Sequence, residues 1–130
     1  MTKLILCLLL LFNIYNCADT KIKIFSIDDI KKEKIVNLGE EFGIKLENYE
    51  KQGYLWRFVN EVETKKYIRL LRQTTEKTKK LFFGETEYTV FYFKTINPST
   101  LPTPLKFCYN RKYTIVTGNN ALVFDITIKY

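Results

Sequence analysis

From Lys21 to Lys129 the chain alternates apolar and polar residues in short runs, and no convincing 3.6-residue apolar stripe interrupts them. Ile22 and Ile24 alternate with Lys21 and Lys23, and Ile35–Leu38 alternates in the same way. Phe42, Ile44 and Leu46 oppose Gly43, Lys45 and Glu47, and Trp56 and Phe58 share one face of Tyr54–Val59. Tyr67–Leu71 is a further short run, and Tyr88–Phe93 is a strong one. Leu105, Phe107 and Tyr109 oppose Lys106, Cys108 and Asn110, and Leu122, Phe124, Ile126 and Ile128 form the last stripe. A period of two places successive side chains on opposite faces of a strand. Seven or eight such strands at roughly regular spacing predict an antiparallel β-sandwich or barrel. Leu38-Gly39-Glu40-Glu41 reads as a turn that joins two of the runs into a hairpin. Thr74–Lys80 is polar and basic and reads as a solvated loop, Asn97–Pro104 holds all three prolines and reads as an irregular crossover, and Val59–Leu71 has room for one helical turn.

The first residues set a different expectation. Lys3, the apolar run Leu4–Phe12 and the small residue ending Asn16-Cys17-Ala18 have the layout of a secretory signal. The run is short of the roughly 20 apolar residues that span a bilayer. Residues 1–18 are therefore expected to be a signal peptide and 19–130 a single domain without a membrane span. The expected location is the secretory pathway, either the exterior or a lysosomal or vesicular lumen. Cleavage after Ala18 leaves 20 basic and 14 acidic residues, a net charge of +6. That favours an acidic partner surface without identifying one. Cys7 and Cys17 depart with the signal, so Cys108 has no partner for an intramolecular disulfide and reads as a buried, inert thiol.

Several chemistries are excluded. The chain has no histidine, which removes Ser-His and Cys-His nucleophilic pairs and the usual zinc ligand set. Asp28-Asp29 and Glu40-Glu41 lack the oxygen-rich spacing of a calcium loop, and there is no glycine-rich phosphate loop. Glu85 and Glu87 lie two apart on one strand face, where a solvated surface is the common reading and a glycosidase pair the rare one. Lysines near aromatics, Lys65-Lys66 and Lys77–Lys80, resemble elements of single-strand binders, but a secretory signal argues against a nucleic-acid partner. The expectation is a protein that is not an enzyme and holds no cofactor or metal.

Three short segments stand at strand ends: Gly53-Tyr54-Leu55-Trp56, Phe82-Phe83-Gly84-Glu85 and Arg111-Lys112-Tyr113. Their order resembles the chagasin family of inhibitors of papain-like cysteine peptidases, over roughly Ile35 to Lys129. That family carries an Asn-Pro-Thr-Thr-Gly-aromatic-x-Trp loop, a Gly-x-Gly-Gly loop and an Arg-Pro-Trp loop. Tyr49-Glu50-Lys51-Gln52-Gly53-Tyr54-Leu55-Trp56 keeps the terminal Gly-Tyr-x-Trp of the first, with Gln52 in place of a threonine. Phe83, Gly84 and Glu85 keep one glycine of the second, and Arg111, Lys112 and Tyr113 keep the arginine and an aromatic of the third. The resemblance implies an immunoglobulin-like β-sandwich whose three loops plug a peptidase cleft reversibly, with the protein acting as a monomer. The implied contacts are Tyr49, Lys51, Gln52, Gly53 and Tyr54 from the first loop, Phe83, Gly84 and Glu85 from the second, and Arg111, Lys112 and Tyr113 from the third. Trp56 is expected in the core rather than at the contact. Two other readings stand beside this one. The first is a non-inhibitory immunoglobulin-like module for an acidic protein, glycan or membrane surface. A cystatin-type inhibitor is the second, and it needs a long helix that no segment here has the periodicity to form.

Overall fold

The computed structural model describes residues 21–49, 53–80, 84–111 and 121–130. Eight strands form among them: β1 (Lys23–Phe25), β2 (Lys34–Asn37), β3 (Glu41–Asn48), β4 (Tyr54–Phe58), β5 (Ile68–Lys80), β6 (Gly84–Thr95), β7 (Thr103–Arg111) and β8 (Leu122–Lys129). They make two four-stranded sheets, ordered β1-β3-β6-β5 and β2-β8-β7-β4. The expected sandwich is the observed one, and the helical turn between Val59 and Leu71 is present as α1 (Glu61–Thr64).

Most strand pairs are antiparallel, but β1 runs parallel to β3 and β2 runs parallel to β8, so each sheet has one parallel edge. This corrects the hairpin expected at Leu38–Glu41. The turn is there, but it carries the chain from β2 in one sheet to β3 in the other. Gly39 N–H donates to the Thr95 carbonyl at 3.1 Å and to Thr95 Oγ1 at 2.8 Å, which fixes the crossing to β6. The solvated loop expected at Thr74–Lys80 is also corrected. Those residues continue β5, paired residue by residue with β6 from Arg72↔Tyr92 to Lys80↔Gly84. Threonines suit a pleated strand, and lysines are common on strands at a sheet edge, so charge here marks an edge and not a loop.

The core lies between the sheets and is built from rings. Phe42, Phe93, Phe107 and Phe124 are wholly buried, with Val36, Ile44, Leu105 and Ile126 around them. Phe107 sits at the centre, its ring 5.1 Å from Phe91, 5.4 Å from Phe58 and 5.8 Å from Phe124. Burying each such side chain contributes about 1.5–3 kcal/mol, which is how a domain whose described cysteine is unpaired holds together. Pro104 lies inside β7 but beyond the reach of β4, whose pairing with β7 ends at Phe58↔Phe107. There the missing N–H costs no strand pair, and the Pro104 carbonyl accepts from Asn60 Nδ2 at 2.7 Å.

Candidate functional site: three strand junctions at one pole

The topology decides where the three sequence segments lie. β3 ends and β4 begins, β5 ends and β6 begins, and β7 ends and β8 begins at the same pole of the sandwich. Asn48 at the end of β3 faces Glu87 near the start of β6, and Tyr54 at the start of β4 faces Arg111 at the end of β7. Tyr49, Gly53, Tyr54, Gly84, Glu85 and Arg111 are therefore brought together at this pole. Lys51, Gln52, Phe83, Lys112 and Tyr113 fall outside the described residues.

A cluster of rings joins the two sheets beneath the junctions. Tyr109 is its centre, 4.9 Å from the Trp56 ring, 5.6 Å from Tyr54 and 5.9 Å from Tyr49. The Tyr109 hydroxyl donates to the Tyr49 carbonyl at 2.6 Å, and Trp56 Nε1 donates to the Glu47 carbonyl at 2.9 Å. Both bonds run from the β4/β7 sheet to the end of β3, so they fix where the first loop departs. Trp56 is half-buried and packs on the core, as expected, yet its indole N–H also positions the loop base. Tyr109 is the residue that the sequence reading missed. Its alternation with Leu105 and Phe107 reads as core, although its place two residues before Arg111 puts it on the same face at the strand end.

Arg111 is exposed, with its guanidinium 5.7 Å from the Tyr54 ring centre, and its carbonyl accepts from Arg57 Nη2 at 2.9 Å. The backbone is thus held while the charged head stays at the surface. On the other side of the pole, Glu47, Asn48, Tyr49, Lys77, Glu85, Thr86 and Glu87 line an open groove. Tyr49 and Glu85 share its wall, which connects the first junction to the second. Asn48 orders the floor: its Nδ2 donates to Glu87 Oε1 and its Oδ1 accepts from Thr89 Oγ1, both at 2.8 Å. Glu87 is thereby a structural acceptor, while Glu85 projects into solvent.

Gly53 and Gly84 both have positive φ, +79° and +75°, and no atom lies within 4 Å of the point where a Cβ would stand at either. The two glycines serve backbone conformation at the tips and leave no room-limited contact. Burial pushes the Tyr109 phenol and the neighbouring Cys108 thiol above their ordinary titration ranges, with the Glu87 charge adding to the rise at Tyr109. Cys108 is buried and free, in keeping with an inert thiol. Among the described residues no His, Cys, Asp or Glu cluster of three or more is disposed to hold a metal, and no helix is long and apolar enough to cross a membrane. The pole offers rings, an arginine and shaped backbone, which is equipment for contact.

No protein-family model matches the chain, and no curated protein matches it. Solved structures do. The cysteine protease inhibitor EhICP2 from Entamoeba histolytica aligns over 83% of this chain and 96% of its own, at 15% identity and a TM-score of 0.64. Amebosin aligns over 85% of this chain and 100% of its own, at 12% identity and a TM-score of 0.56. PbICP-C, solved in complex with falcipain-2, gives a looser likeness, with a TM-score of 0.46 at 17% identity over 82% of this chain and 99% of its own. The chain thus has the fold of a solved cysteine protease inhibitor, and the chagasin-like reading of its sequence holds at the level of that fold.

Proposed function

We propose that this chain is a reversible, competitive inhibitor of papain-like cysteine peptidases, secreted or held in a lysosomal or vesicular lumen, with Met1–Ala18 as its signal. The observation that carries the reading is the convergence of the three strand junctions on one ring-buttressed pole, on a fold shared with a cysteine protease inhibitor. The first loop, from Tyr49 to Tyr54, enters the peptidase cleft, and the junctions at Gly84-Glu85 and Arg111 brace against its walls. In this reading the chain inhibits by occlusion and not by chemistry, and it has no histidine to serve a nucleophile. A stiff sandwich suits this task because the loop bases are ordered before binding, which lowers the entropy lost on association. The exposed Arg111 pairs with acidic groups at the cleft rim, and Tyr49, about half exposed, supplies an apolar ring with a polar tip.

The test is a titration of the folded chain against a panel of papain-like peptidases with a small peptide substrate. Competitive inhibition is expected, and Arg111→Ala is expected to weaken it about tenfold or more while the melting temperature stays within a few degrees. Absence of inhibition at micromolar concentrations, with folding verified by a cooperative melt, would reject the reading.

A further inference from the structure

The positive charge of the chain is not spread over its surface. Between Lys65 and Lys80 there are seven basic residues against the single acid Glu76, a net of +6 within a chain whose total is +7. Nearly all of this segment is β5, an edge strand that pairs only with β6 among the described residues. Alternate N–H and C=O groups on its outer rim therefore point away from the sheet. Its pairing with β6 is irregular only between Leu70 and Arg72, and it runs without interruption from Arg72 to Lys80. Every residue from Leu71 to Lys79 except Thr74 is exposed.

The register adds a pattern to the charge. Lys77 stands opposite Glu87 and Lys79 opposite Glu85, and this spacing of two puts both lysines on one face of the ribbon. Across the sheet on that face the sign goes from acid on β6 to base on β5. On the other face Glu76 is engaged by Lys45 at 3.4 Å, and Arg72 by Glu41 at 3.7 Å and by the Tyr92 ring at 4.2 Å. Those charges are matched within the sheet. Lys77 and Lys79 stand across from acids but form no ion pair among the described residues. Each can therefore meet a further acid on its outer side, where opposite charges directly across a strand pair are favourable.

We propose that the free edge of β5 from Arg72 to Lys80 docks an extended polypeptide segment with acidic residues at alternate positions, added as a fifth strand next to β5. Its main chain completes the open rim, and its carboxylates fall beside Lys77 and Lys79, continuing the acid–base alternation of the sheet. Strand addition of this kind takes its affinity from main-chain hydrogen bonds and its selectivity from alternate side chains.

The probes are a short peptide alternating Glu and Thr, the same peptide fully N-methylated, heparin, and vesicles rich in anionic lipid. Their binding to the full chain is measured by isothermal calorimetry at low and moderate salt. No peptidase enters the assay, so its outcome is separate from that of the inhibition test. The Glu-Thr peptide is expected to bind with an affinity that falls as salt rises. N-methylation is expected to weaken it at least tenfold, as is the double variant Lys77→Glu/Lys79→Glu, about the effect of removing a main-chain rim or reversing two facing charges. Equal binding of the two peptides, or tighter binding of heparin or vesicles, would mean that the edge reads charge alone and would overturn the proposal. Failure of the unmodified peptide to bind a chain that melts normally would overturn it too, leaving the lysines the task of keeping the edge from pairing with itself.

Discussion

The two poles of the sandwich solve one problem in opposite ways. Where strands end, backbone groups lose their ladder partners and must find others. At the pole opposite the three junctions, buried polar side chains supply them. Asn60, only 4% exposed, donates Nδ2 to the Pro104 carbonyl at 2.7 Å and accepts from Lys106 N–H at 2.9 Å, while its own carbonyl accepts from Thr64 Oγ1 at 3.1 Å. Thr95, wholly buried, accepts from Gly39 N–H and donates to the Asn37 carbonyl, both at 2.8 Å. At the junction pole the ties come from partly buried side chains that keep a wet edge, the Trp56 ring to Glu47, the Tyr109 ring to Tyr49 and the Arg57 guanidinium to Arg111. A buried amide bonded through both its nitrogen and its oxygen is closed to partners. A ring with one wet edge holds the backbone and still presents surface. The contrast separates a pole closed by buried polar groups from one whose ties leave surface open, as the proposed inhibition requires.

The sharpest way to break the contrast is at Asn60. Replacing it with alanine leaves the partly buried Pro104 carbonyl and Lys106 N–H without their partner, and the expected loss is about 2–3 kcal/mol. Thr95→Val keeps the shape and removes the hydroxyl, for an expected loss of about 2 kcal/mol. Urea unfolding measures both, and neither is expected to change the affinity of folded protein for a peptidase. Next in size is Tyr109→Ala, which empties the centre of the ring cluster and should cost about 1–2 kcal/mol. It should also weaken inhibition about tenfold, since the base of the first loop loses its anchor. Tyr109→Phe removes only the bond to Tyr49 and should cost about 1 kcal/mol or less. If the two Tyr109 variants are weakened alike, the hydroxyl positions the loop base and the ring does not.

The contrast also marks what the sequence could disclose. Alternation located the inward faces of the strands, because Phe42, Ile44 and Leu46, or Leu105 and Phe107, carry the burial signal in their own order. It did not disclose β5 beyond Leu71, since Thr74–Lys79 buries little and pairing itself leaves no compositional trace. Nor did it separate a hairpin at Gly39 from a crossing between sheets. The local residues are the same in both, and the difference lies in Thr95, 56 residues away. The pole was legible through Gly53, Tyr54, Gly84 and Arg111 because strand ends announce themselves by turn residues and charge. Tyr109, Asn60 and Thr95 were not. Each reads as an ordinary strand or loop residue until the fold brings its partner to it.

The smallest expected effect is also the most direct probe of the junction pole from within. Cys108 and Tyr109 are adjacent, and burial raises the titration of both. Each is neutral when protonated, so the folded state keeps its protons to higher pH than the unfolded chain. Between the two titrations the unfolded state binds fewer protons, and stability falls as pH rises. The contribution of these groups is fully present below their unfolded values, near pH 8.5 for a thiol and about 10 for a phenol, and is lost as pH climbs through the folded ones. The urea midpoint should therefore decline on the alkaline side. Cys108→Ala should flatten the first part of the decline, and Tyr109→Phe the second, while Asn60→Ala lowers the whole curve without changing its slope. A midpoint indifferent to both substitutions at the junction pole would mean that the thiol and the phenol ionise as freely in the fold as out of it. The ring cluster would then be open to water, and a wet cluster is a weaker tie between the end of β3 and the β4/β7 sheet.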